Sequence, residues 1–128
     1  MKCLDSDFLI SLLRGEKDAL SSLDKLKKEE IAITSINAFE LFVGAFISKR
    51  SENIAIVSKL VDSYIFLNFN KEAAKLAGEI VVDLEKKGEK IDWRDCMIAA
   101  VAVVNGCVLV TRNKRHFSKI KGLEIQEW

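Results

Sequence analysis

Several things this chain lacks narrow what it can be. Proline is absent and His116 is the only histidine; with abundant Lys and Glu, the missing proline is compatible with a thermophilic source. Neither charge dominates. The formal net charge is +1, so the surface as a whole does not attract polyanions, and any nucleic-acid contact must come from a local patch. The three cysteines, Cys3, Cys96 and Cys107, are odd in number, lie inside apolar runs and form no C-x-x-C pair. They read as small buried hydrophobes in a reducing cytosol. The longest apolar run, Cys96 to Val104, is too short to span a bilayer. The first strand-like stretch starts at Met1 and leaves no room for a signal peptide. A soluble, cytoplasmic protein with no membrane contact is therefore expected. Neither G-x-G-x-x-G nor a P-loop is present, which argues against a nucleotide-binding Rossmann domain.

What is present suits one compact domain over residues 1–128. Hydrophobic residues make up 49% of the chain and charged ones 30%, enough to build a core beneath a polar surface. No repeat, low-complexity tract or linker divides it. Short apolar, β-branched segments alternate with stretches of helical period. Strands are expected at Met1–Asp5, Ile31–Thr34, Tyr64–Phe69, Cys107–Thr111 and Leu123–Gln126. Helices are expected at Phe8–Arg14, Lys17–Lys28, from Thr34 or Ser35 to about Lys49, Glu52–Val61, Lys71–Lys86 and from an Asp92 cap to Asn105, with a short basic turn after strand four. Such alternation implies a three-layer α/β/α domain around a mostly parallel five-stranded sheet.

In such a sheet ligands bind beyond the carboxyl ends of the strands, and acidic residues collect at these positions. Asp5 ends the first strand and Asp7 follows it; Asp5 serves either as a helix cap or as a site residue. Glu40 shares a helical face with Ile36, Val43, Gly44 and Ile47. A carboxylate on an apolar face must be paired, protonated or bound to a cation. Asp92 and Asp95 open a nearly all-apolar helix; Asp92 reads as its cap, while Asp95 leans toward a site role. Asn113, just past strand four, offers a neutral oxygen or forms a turn. Arg112, Lys114 and Arg115 adjoin this position and are candidates for holding phosphates, against the alternative of a solvated charged face. His116 reads as a surface histidine with no assigned chemistry.

Taken in order, Leu4-Asp5-Ser6-Asp7-Phe8-Leu9-Ile10, Glu40-Leu41-Phe42-Val43-Gly44, Asp95-Cys96-Met97-Ile98-Ala99-Ala100 and Leu109-Val110-Thr111-Arg112-Asn113-Lys114-Arg115-His116-Phe117 resemble the motifs of the PIN-domain family. With Ile120 to Leu123 and Trp128, the last resembles the VapC-type toxin ribonucleases in particular. The resemblance implies Mg²⁺ or Mn²⁺ dependence, cleavage of RNA, a homodimer and a cognate antitoxin. By position it makes Asp5, Glu40 and Asp95 the metal-binding acids and puts Asn113 where many relatives have a fourth acid or an Asn. Two departures stand out: Asp7 where Asn is commoner, and His116 where some relatives carry an acid.

Crowded carboxylates call for a cation. Oxygen-only ligation suits Mg²⁺ or Mn²⁺ better than Zn²⁺. The ion would polarise a phosphodiester and activate water, so the ribose 2′-OH is not needed and 5′-phosphate and 3′-hydroxyl ends are expected. Two rivals remain. Asp5-Ser6-Asp7 resembles the start of a haloacid-dehalogenase-type phosphatase, although Leu9 replaces the small β-branched residue usual there and no later acidic pair follows strand four. A catalytically inactive PIN-like interaction module is the other.

Overall fold

A computed structural model describes all 128 residues. Its elements alternate as the periodicity predicts: β1 (Lys2–Leu4), α1 (Ser6–Leu13), α2 (Lys17–Leu26), β2 (Ile31–Thr34), α3 (Ser35–Ile47), α4 (Ser51–Asp62), β3 (Ile65–Leu67), α5 (Lys71–Lys86), α6 (Trp93–Val104), β4 (Val108–Val110), α7 (Lys114–Phe117) and β5 (Glu124–Gln126). The five strands form one sheet in the order β3-β2-β1-β4-β5. All four pairings are parallel, so "mostly parallel" becomes wholly parallel.

The period-2 geometry of the strands divides the interior into two layers. Cys3, Ala32 and Leu109 point to one face of the sheet, where α5 and α6 close over them with Ala73, Ala77, Leu84, Ile98 and Val101. Leu4, Ile33 and Val110 point to the other, against Phe8, Leu9, Leu26, Leu41 and Val57 from α1 to α4. Each large apolar side chain buried this way contributes on the order of 1.5–3 kcal/mol relative to exposure.

The strands are shorter than their apolar runs because the chain leaves the sheet to build the site. Asp5 and Thr111 lie just beyond β1 and β4, yet their backbone N–H groups still donate to Val110 and Gln126 carbonyls at 3.0 Å. β1 is central. From it the chain winds outward through β2 to β3, then crosses back to β4 and β5. The strand order therefore reverses between β1 and β4, and the crevice at their carboxyl ends is where a parallel sheet leaves room for a ligand.

Candidate active site

Asp5 lies at this crevice, and its two carboxylate oxygens are engaged separately. Its Oδ1 accepts from the Ser6 N–H at 2.8 Å, capping α1, and its Oδ2 accepts from the Thr111 hydroxyl at 2.7 Å. The carboxylate is buried. Asp7 braces the same corner from the first turn of α1: its Oδ2 accepts from the Arg112 N–H at 2.9 Å and from the Thr111 hydroxyl at 3.3 Å. Its Oδ1 is buried and has no hydrogen-bond partner. The Asn113 N–H donates to the Thr111 Oγ1 at 3.0 Å, so one threonine ties the loop after β4 to both aspartates.

Glu40 reaches the crevice from α3, but not for the reason its helical wheel suggested. The residues sharing its face do not form the buried stripe: Val43 is 42% exposed and Ile47 74%. The core face of α3 is Asn37, Ala38, Leu41 and Ala45. Glu40 sits at the edge of that stripe, beside a groove of about 420 Å³ bordered by Ile10, Leu13, Gly44 and Ile56. What orders it is a hydrogen-bond chain that sequence reasoning missed. Buried Asn37 forms a capping box with Thr34 and donates through Nδ2 to Ser6 Oγ at 2.9 Å; Ser6 Oγ in turn donates to Glu40 Oε1 at 2.7 Å. The polar pair Thr34 and Asn37, at N-cap and N3 spacing before an apolar run, was the available signal.

Asp95 comes from the first turn of α6. Asp92 caps that helix as expected, accepting from the Arg94 N–H at 2.8 Å and pairing with the Arg94 guanidinium at 2.9 Å. Asp95 takes no part in the cap. Its Oδ2 stands 3.8 Å from His116 Nδ1, and that ring nitrogen lies 3.0 Å from Asn113 Nδ2. His116 is a surface histidine, as expected, and it borders the crevice. Asn113 meets His116 rather than capping α7. Arg94 Nη1 stands 3.9 Å from Glu40 Oε2 on the other flank.

The three basic candidates separate. Arg112 lies 3.7 Å over the Trp128 ring, donates through Nε to the Trp128 carbonyl at 3.0 Å and reaches Asp18 at 3.5 Å. It fastens the end of the chain against α1, so its guanidinium already has partners. Lys114 pairs with Glu127 at 3.3 Å across solvent, a contact of little energy. Arg115 is exposed and makes no ion pair.

The acids feel one another. Burial, followed by the neighbouring Asp7 charge, pushes the Asp5 carboxyl up to about 7, and the charge of Asp95 adds to it. Asp95 is raised by burial and by the charges of Asp92 and Glu40. As placed, no three acidic, histidine or cysteine side chains form a ready metal cage; each carboxylate leans on its local donor. The crevice nevertheless fits a hard divalent cation in kind. Its donors are carboxylate oxygens, Asp7 keeps an unpartnered buried oxygen, and Asp5 and Asp95, both raised first by burial, also feel the charge of neighbouring acids.

An all-parallel α/β/α sheet with acids drawn to its switch point has the architecture of a PIN domain. A PIN-domain family model matches residues 2–123, and the chain belongs to that family. It is similar to the VapC proteins in particular. It is 32% identical to the tRNA(fMet)-specific endonuclease VapC of Salmonella typhimurium, over 98% of this chain and 96% of that protein. It is 29% identical to Ribonuclease VapC2 of Haemophilus influenzae over the same shares. Among solved structures it matches VapBC2 from Rickettsia felis bound to a promoter DNA fragment, with TM-score 0.90, 28% identity and coverage of 99% of this chain and 98% of that one. DNA-bound VapBC from Salmonella typhimurium matches with TM-score 0.86, 28% identity and coverage of 99% and 97%. These likenesses lend no support to the phosphatase reading.

Proposed function

We propose that this chain is a Mg²⁺- or Mn²⁺-dependent endoribonuclease that cleaves single-stranded RNA and acts as the toxin of a type II toxin–antitoxin pair in the cytoplasm. The observation that carries this reading is a buried Asp5 at the strand-order switch, with Glu40 and Asp95 brought to the same crevice from two helices. Asp5, Glu40 and Asp95 would hold the ion. When bound, it neutralises their charge, polarises a scissile phosphodiester and raises the acidity of water. Asp7 and Thr111 fix Asp5. Asn37 and Ser6 aim Glu40. Asn113 positions the ring of His116, and Lys114 and Arg115 lie where a phosphate backbone would run.

The ribonuclease names of its relatives support RNA as the substrate, and the VapBC complexes among its structural neighbours support an antitoxin as partner. A homodimer is supported by the strip Phe39, Val43, Phe46 and Ile47, exposed along α3. Expression of the chain alone should arrest growth, and coexpression of a small antitoxin gene from the adjoining reading frame should relieve it. RNA recovered from arrested cells should carry 5′-phosphate ends at the cuts. Undisturbed growth with intact RNA would refute the toxin reading.

A further inference from the structure

We propose that His116 is a nitrogen ligand to the divalent ion at Asp95 and that it tilts the site from Mg²⁺ toward Mn²⁺. The inference rests on the metal-dependent reading above and adds a ligand that an oxygen-only site would not contain. Three observations carry it. First, His116 is held in place. Its neighbour Phe117 is fully buried and Ile120 nearly so, which locks the short α7 turn against the core while the imidazole stays half-exposed at the crevice. Second, its Nδ1 faces the acid, 3.8 Å from Asp95 Oδ2. Metal–ligand bonds of about 2.1 Å set neighbouring ligand atoms about 3 Å apart and opposed ones about 4 Å apart, so one ion can bridge the two groups after a small shift. Third, Asn113 Nδ2 lies 3.0 Å from the same nitrogen. With the amide donating, Nδ1 is the unprotonated ring nitrogen, and an ion bound there would displace the amide N–H from that lone pair. No other hydrogen bond engages the His116 side chain.

The chemistry sets the direction of selectivity. Mg²⁺ prefers oxygen and gives up water reluctantly, whereas affinity for imidazole rises along the first transition row. A mixed carboxylate–imidazole site therefore gains more with Mn²⁺ than with Mg²⁺.

The test is binding and spectroscopy on the full chain, stripped of metal and titrated with Mn²⁺ or Mg²⁺ alone. Pulsed electron paramagnetic resonance of the Mn²⁺ complex should show a directly bonded imidazole nitrogen that vanishes in His116→Asp. Calorimetry should show the ratio of Mn²⁺ to Mg²⁺ affinity falling by about tenfold in His116→Asp, the lower end of what disturbing a metal site's ordering groups costs. Mn²⁺ bound at Asp95 without nitrogen coupling, or an unchanged affinity ratio, would overturn the proposal and leave the metal-dependent reading intact. Mn²⁺ binding equally tight in Asp95→Asn would instead sink that reading, and this proposal with it.

Discussion

Asp5 caps α1 from a buried position at the crevice, and its hydrogen bonds and its burial pull its chemistry in opposite directions. The Thr111 and Ser6 donors favour the carboxylate, yet burial and the charge of Asp7 outweigh them and raise its pKa to about 7 from an ordinary 3.8. The unfolded chain therefore releases this proton first. Between about pH 4 and 7 the native state holds more protons, so the contribution is full below the unfolded value and is lost as pH rises toward 7. In Asp5→Asn the amide keeps an oxygen for the cap, and its nitrogen can donate to Thr111, whose hydroxyl turns to Asp7. Metal-free Asp5→Asn should thus melt no lower than wild type, and its advantage should widen from pH 4.5 to 7.5 by thermal denaturation. A large drop in melting temperature would mean that the capping role dominates. Among the basic residues, Lys114→Ala and Arg115→Ala should weaken RNA binding and each lower the salt slope by about 1. Arg112→Ala should mainly lower stability, because it releases Trp128. Equal losses of RNA affinity in all three would contradict the clasp role of Arg112. Asp5, Asp7 and Asp95 were legible because each sits at a strand or helix end. His116 was not, because only the fold brings α7 beside α6.

Helix α3 shows where pattern reading stops. Its residues are apolar nearly all round, with Ile36, Phe39, Phe42, Val43, Phe46 and Ile47 on several faces, so a helical wheel cannot say which stripe the sheet will take. The fold buries the side carrying Ala38, Leu41 and Ala45 and leaves Phe46 63% exposed. Glu40 ends up near the crevice because it lies one turn beyond Asn37, the fully buried residue that anchors the start of the helix. Asn37→Ala removes the acceptor for the Thr34 N–H and hydroxyl and the donor to Ser6. The expected cost is about 2 kcal/mol by chemical denaturation, together with a looser Glu40. A loss below about 0.5 kcal/mol would mean that this network carries little of the helix's stability. Phe46→Glu, on the uncovered side, should leave stability nearly unchanged. In sedimentation equilibrium it should move any dimer toward monomer, and an unaltered dimer would put the contact elsewhere.

At the scale of the molecule, alternating strands and helices were enough for the layer count and the parallel sheet, because a strand apolar on both faces must be covered on both. The order of the strands was not readable from any segment. It decides everything about the site: with β1 between β2 and β4, the ends of three strands open on one crevice. Acids separated by dozens of residues then meet within reach of one another's charge. The most direct measurement is cleavage of a single-stranded RNA by the metal-free protein after addition of Mg²⁺ or Mn²⁺, run beside Asp5→Asn and Asp95→Asn. The account predicts cutting only by the wild type, only with the ion, and losses of a hundredfold or more in both variants (about 2.7 kcal/mol or more of barrier), with their folds intact. Cutting undiminished in both variants, or unaffected by a chelator, would contradict it.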